Sequence, residues 1–317
     1  MSVTRTGSAW DGSGAYPNYT TNGSNFIPEI WSGKLVRKFY TATVFGEIAN
    51  TDYEGEIAEK GDTVHIRTVP DVTINDYEVG GGLDYEVLSS EGVDLSIDYA
   101  KSFSFQCNDV DKLQSDLAQL DKWSEETSEK MKIACDRTVL GSIYADVSPD
   151  NSGATAGVDS GDINLGTVSS PRTIDETNVI TFLVELGLVL DEQDIVEEGR
   201  WVVLPSWLTA KIKTSDLKDA SLAGDGTSML RNGRIGMIDR FTVYRSNNVA
   251  SETNGGSTKV WHVVAGHKAG LTFASQMNKM ESMRNPNDFG DLVRGLQLFG
   301  FEVINDVALA HAVVAKG

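Results

Sequence analysis

Phe103-Ser104-Phe105-Gln106-Cys107-Asn108-Asp109-Val110-Asp111-Lys112-Leu113 is the stretch in which the chain changes period. Before it, Phe103, Phe105 and Cys107 alternate with Ser104 and Gln106, as on a strand with one covered face. After it, Val110, Leu113, Leu117, Leu120, Trp123, Thr127, Met131 and Ala134 recur at steps of three and four, the spacing of one helix face. Asn108 is placed to cap that helix, and Asp109 and Asp111 fall in its first turn, where the helix dipole favours negative charge. Neither Gly nor Pro occurs between Val93 and Leu140, and Pro149 is the outer limit. The spacing therefore predicts a single helix of about 35 to 40 residues, against an ordinary mean of about 11 or 12. Such a helix is either half of a coiled coil or a strut across a flat domain. No second helix of matching length lies nearby, which favours the strut.

Upstream, residues 52–98 hold thirteen Asp and Glu against only Lys60 and Arg67. Among the acids are Asp71, Asp76, Glu78, Asp84 and Glu86. Val64, Ile66 and Val69 alternate, Pro70 and Gly80-Gly81-Gly82 interrupt, and Val93, Leu95, Ile97 and Tyr99 alternate again. Period two on both sides of a Gly-rich turn predicts a long antiparallel hairpin. Few large apolar residues lie near its tip, and an isolated two-stranded ribbon is only marginally stable in water. The stretch is either a solvated loop or an arm laid over another subunit that supplies basic partners. Candidate partners are Lys34, Arg37 and Lys38 on a short amphipathic helix (Ile27, Ile30, Trp31, Leu35, Phe39). Others lie in the stretch Arg200–Arg245, which has eight basic and four acidic side chains and includes Arg231 and Arg234. Residues 1–25, with four glycines among Ser, Thr and Asn, are a frayed terminus or an arm that orders against a neighbour.

Downstream, Gly153, Gly157, Gly161 and Gly166 mark a surface loop or domain junction. Asp175–Gln193 carries a helical apolar stripe, Trp201-Val202-Val203-Leu204 reads as a buried strand, and Pro205 opens another helix through Trp207, Leu208 and Ile212. A Gly-rich loop, Gly224–Gly236, precedes strands at Phe241–Tyr244 and Lys259–Ala265. Helix, strand and helix in alternation indicate a compact α/β subdomain. After Gly270 the period returns to two, and the last fifty residues read mostly as sheet.

A chain of 317 residues with 40% hydrophobic side chains is that of a folded protein. Its net charge of −19 repels phosphate backbones and anionic membranes, which argues against sequence-reading DNA binding. No apolar run approaches the roughly 20 residues of a spanning helix, and residues 1–7 lack a signal-peptide core, so the chain is expected in the cytosol where it is made. Cys107 and Cys135 are too few for a disulfide framework, and a helix rising about 1.5 Å per residue would hold them roughly 40 Å apart. The sequence has no Gly-x-Ser-x-Gly, no phosphate loop and no His-Glu-x-x-His. Asp150-Asn151-Ser152-Gly153 lacks the ligand order of a calcium loop. His262 and His267, five apart across Gly266, are not spaced for one metal, and His65 and His311 read as tolerated or core residues. No catalytic, cofactor or metal site is expected.

The order of arm, acidic hairpin, very long helix, α/β subdomain and closing strands resembles the major capsid proteins of tailed bacteriophages, which share the Hong Kong ninety-seven type capsid fold. Three groups of residues carry the resemblance. Ile27-Pro28-Glu29-Ile30-Trp31 and Lys60-Gly61-Asp62-Thr63-Val64 look like the family's arm helix and the start of its extended loop. Leu204-Pro205-Ser206-Trp207, Gly233-Arg234-Ile235-Gly236 and Val243-Tyr244-Arg245-Ser246-Asn247-Asn248 are similar to its axial domain. Phe289-Gly290-Asp291, Gly295-Leu296 and Phe299-Gly300 look like the close of its peripheral domain. Asp239-Arg240 departs from the pattern, since relatives often have glycine there.

The resemblance implies an α+β fold with an arm (1–50), extended loop (51–106), spine helix and following loop (107–170), axial domain (171–270) and closing peripheral strands (271–317). It implies a virion protein made in the host cytoplasm, a non-enzymatic subunit without a cofactor. Copies would form hexamers and pentamers around double-stranded DNA bound without sequence specificity. Portal, scaffolding and decorating proteins are the other implied partners, and a membrane is not. A genome-free nanocompartment or surface array is the alternative, and an unidentified enzyme a third.

Overall fold

The computed structural model of the chain describes residues 43–52, 63–67, 72–76, 85–87, 92–109, 119–215, 236–285 and 288–317. In chain order the elements are α1 (Phe45–Ile48), β1 (Thr63–Arg67), β2 (Gly92–Ser96), β3 (Tyr99–Asn108) and α2 (Gln119–Leu140). They continue with β4 (Arg172–Ile174), α3 (Val179–Asp191), β5 (Arg200–Leu204), α4 (Ser206–Thr214), β6 (Met237–Ile238) and β7 (Phe241–Arg245). The last are β8 (Ser251–Thr253), β9 (Lys259–His267), β10 (Leu271–Arg284), β11 (Gly290–Val303) and β12 (Leu309–Lys316).

Two sheets organise the molecule. In the first, β11 lies antiparallel between β10 and β3, with Leu271 opposite Val303 and Gly290 opposite Asn108. The second runs β4-β12-β9-β5-β7-β6, with β8 also paired to β9. Its β5–β7 and β12–β4 pairs are parallel and the others antiparallel. The segment expected to close the peripheral domain is therefore divided. Strands β10 and β11 join the first sheet, whereas β12 crosses into the second, because its apolar residues Leu309, Ala310, Ala312, Val313, Val314 and Ala315 are buried from both faces there.

Strand β5 shows why the second sheet carries such apolar strands. Val202 and Leu204 enter a cluster with Phe182, Leu183 and Leu186 of α3 and Leu208 of α4. Trp201 and Val203 point the other way, into a cluster with Cys135, Val139 and Leu140 of α2 and with Leu271, Phe273 and Phe299 of the first sheet. A strand covered on both faces has no polar alternation to display. Each large side chain so buried contributes roughly 1.5–3 kcal/mol. The second cluster is shared by both sheets and the end of α2.

The described part of the spine, helix α2, stops at Leu140, before the expected outer limit at Pro149, where the Gly141 N–H closes the last turn on the Arg137 carbonyl at 3.0 Å. Residues 110–118 lie outside the described residues. Cys107 ends up on β3 and Cys135 on α2, both buried and free. The predicted hairpin is paired at its base, Thr63–Arg67 against Gly92–Ser96. Residues 72–76 and 85–87 carry no strand, and Ile74, Tyr85 and Val87 there are 95%, 88% and 94% exposed. Without a covered face, cross-strand pairs gain too little to hold a ladder.

Candidate assembly surfaces

The base of the acidic loop is held firmly. Ile66 and Leu95, facing the same side of the β1–β2 ladder, are buried with Ala274 of β10, and Val64, Ile97 and Ile304 pack around them. On the outer side the His65 imidazole meets the Asp94 carboxylate directly across the ladder. Gly300 of β11 is what lets the loop base lie this close, since a Cβ there would stand 2.0 Å from the Ser96 carbonyl oxygen. Farther out, the Thr73 N–H donates to Glu86 Oε2 at 3.2 Å and ties the two arms together. Beyond this fixed base, Ile74, Tyr85 and Val87 leave apolar side chains open to solvent.

Of the residues predicted to form contacts between subunits, Asp76 and Glu86 are exposed on this loop. Asp71, Glu78, Asp84, Lys34, Arg37, Lys38, Arg231 and Arg234, like the arm and its short helix, lie outside the described residues. The contact described for Glu86 is within its own chain. The basic stretch is also partly committed internally. Arg200 is buried, with Nη1 2.7 Å from Asp191 Oδ1, and Arg240 Nη2 is 2.7 Å from Asp191 Oδ2 and its Nη1 2.8 Å from Glu197. Those two guanidiniums brace α3 against β5 and the β6–β7 turn.

The sheet of β3, β10 and β11 offers a second surface. Phe103 lies over Gly295, beside a shallow cleft of about 550 Å³ rimmed by Lys279, Glu281 and Arg294. Glu281 accepts from Lys279 at 2.5 Å and from Arg294 at 2.7 Å, and these two cations hold its carboxyl down at about 2. At the end of the same sheet Arg284 grips Asp109 through two bonds of 2.6 and 2.7 Å and reaches Asp291 at 3.2 Å. Phe289, in the β10–β11 turn, is 81% exposed.

Sequence reasoning missed the residue that joins these parts. Asp136 of α2 is fully buried. Its Oδ1 accepts the Val44 and Phe45 N–H groups at 2.9 and 3.0 Å, and its Oδ2 accepts from Asn248 Nδ2 at 2.7 Å. Asn248 in turn accepts from Arg137 Nε at 3.2 Å. One carboxylate thereby fixes the start of α1 and the β7–β8 connection to the spine. Its signal in the sequence is an acid on the core-facing side of the helix, between Ile133 and Leu140.

The sequence pattern of the family described as phage capsid protein matches residues 100–312. The chain belongs to the phage capsid protein family. It is a major capsid subunit of the tailed-phage type, as its solved neighbours agree. A structure from Mycobacterium phage Che8 is 26% identical, covers 93% of this chain and 98% of its own, and superposes with a TM-score of 0.74. The capsid structure of cyanophage P-SCSP1u, 13% identical, shares the fold over 92% of this chain and 94% of its own at a TM-score of 0.69. The mature capsid of bacteriophage PhiM1, 14% identical, does so over 98% and 99% at 0.62. No curated protein sequence matches.

Within the capsid subunit, the departure at Asp239-Arg240 is accommodated. Asp239 itself takes the left-handed conformation, φ 53°, that a glycine would supply in this tight β6–β7 turn.

Proposed function

We propose that this capsid subunit, a virion structural protein, tiles an icosahedral shell of hexamers and pentamers that encloses double-stranded DNA without reading its sequence. The observation that carries the reading is the acidic loop: a base locked onto β10 and β11, and, farther out, Ile74, Tyr85 and Val87 almost wholly exposed. Exposed apolar side chains on an arm that cannot fold on itself are stabilised only when a neighbouring copy covers them. The surplus of 19 negative charges supports a wall that repels the genome and lets it slide during filling. Assembly proceeds in the host cytoplasm with portal and scaffolding proteins, and a decorating protein is a further partner. Residues 1–50 serve as the arm, 51–106 as the extended loop, 107–170 as spine and loop, and 171–270 with β12 as the axial domain.

Removing residues 72–90 tests this. The shortened chain is expected to stay folded and soluble but to remain small in sedimentation and electron micrographs, where the intact chain gives closed particles. Normal particles from the shortened chain would end the proposal.

A further inference from the structure

Tyr144, Glu252, His262 and His311 come together where the turn after α2 meets the second sheet. His311 pairs with Val264 and His262 with Val313, which sets the two imidazoles diagonally on one face of β9 and β12. His262 Nδ1 and His311 Nε2 face each other at 3.0 Å, with ring centroids 5.2 Å apart and planes 11° apart. That centroid separation is about the largest two imidazoles joined by such a contact allow, so the rings lie end to end. On its far side His262 Nε2 is 3.0 Å from Glu252 Oε1 on β8, and the Tyr144 ring stacks on His262 at 4.1 Å.

The anion fixes both tautomers. A carboxylate only accepts, so His262 Nε2 carries a hydrogen, His262 Nδ1 is left as an acceptor, and His311 Nε2 donates to it. One extra proton from solvent fits this chain, because His311 Nδ1 can take it while both hydrogen bonds keep a donor and an acceptor. A second does not. It would put N–H on both sides of the 3.0 Å contact and two cations side by side, where the His262 side chain is 3% exposed.

We propose that Glu252, His262 and His311 form one proton-sharing relay that clasps the Tyr144 turn to the second sheet at neutral pH and opens when a second proton enters. This stands on the geometry of the cluster and does not rest on the shell reading above. The groups facing the relay are Glu252 from β8, the two histidines from β9 and β12, and the Tyr144 ring from the turn. Burial lowers the His262 imidazole, against the pull of Glu252, and lowers His311 to about 4, with His262 adding to the effect. Acid therefore acts on the joint between the turn after α2 and the second sheet.

Deuterium exchange at the imidazole C2 position, read by peptide mass spectrometry from neutral to acid pH, follows each histidine in the full chain. His262 and His311 are expected to titrate at two distinct midpoints below that of a free imidazole. Glu252→Gln, a half-exposed site, should lower the His262 midpoint, and His262→Gln should raise that of His311, each by about one unit. Backbone exchange at residues 143–145 should rise over the same acid interval in the native chain and lose that rise in His311→Gln. Midpoints that ignore the partner's substitution, or an acid opening of 143–145 that persists without His311, would overturn the relay. If a variant fails to fold, the native curves decide: superimposed midpoints near that of free imidazole refute it.

Discussion

The Asp136 carboxylate holds three donors from segments 91 to 112 residues away in sequence, so its loss is felt in three places at once. Asp136→Asn turns an acceptor into a donor facing donors, and each buried group left unsatisfied costs about 1–3 kcal/mol. The expected destabilisation is about 3 kcal/mol as a lower urea midpoint, whereas Asp150→Asn at an exposed position should stay within about 0.5 kcal/mol. Equal midpoints for the two variants would show that the buried network is dispensable. His311 gives the pH dependence at this scale. Its imidazole binds a proton less readily folded, at about 4, than unfolded, at 6.5. The stability this represents is complete above 6.5 and is lost as pH falls through the interval down to about 4, where it amounts to on the order of 3 kcal/mol. Melting at a series of pH values should show that loss in the native chain and much less of it in His311→Gln. The partners of neither residue were legible beforehand. Local pattern shows that a position is polar, and only the fold shows that Asp136 reaches Val44 or that His311 reaches His262 rather than a sequence neighbour.

Elements were more legible because periodicity is a local property. Strand β5, helices α3 and α4, and the strands at Phe241 and Lys259 fall where alternation and helical spacing put them. The spine helix was foreseen as to place, but its end was set as far out as Pro149, whereas Gly141, the first glycine after the Gly-free run, already ends it. The loop's ladder was overestimated because alternation marks a strand only where something covers one face. Two glycines of β11 separate backbone from side-chain crowding. Gly300→Ala drives a methyl group into the Ser96 carbonyl at 2.0 Å, which neither strand can evade, and should cost roughly 3 kcal/mol and displace the loop base. Gly295→Ala meets the edge of the Phe103 ring at 2.3 Å, and that half-buried ring can swing aside, for roughly 1 kcal/mol. Thermal melts of the two variants measure the difference, and a costlier Gly295→Ala would mean that the loop base is not wedged on Gly300.

For the whole molecule, the way neighbouring copies are joined depends on lysine chemistry. Some capsids of this fold weld neighbours by a Lys-to-Asn bond, which requires an amine on the extended loop able to lose its proton in an apolar site. Lys101 stands on β3, an edge strand of the first sheet, opposite Gln297, and Lys60 precedes β1 in the sequence, both distant along the chain from Gly80-Gly81-Gly82. Boiled, detergent-treated particles should therefore run as one band at 34.3 kDa, and a ladder of multiples would reverse that expectation. The path of β12 bears on manufacture. This strand is translated after every other strand described, yet it is the one inserted between β4 and β9. Until it leaves the ribosome, β4 has no partner to join and the edge of β9 stays open. An unfinished polypeptide thus lacks a completed second sheet, and its β4 and β9 edges close only with the last strand described.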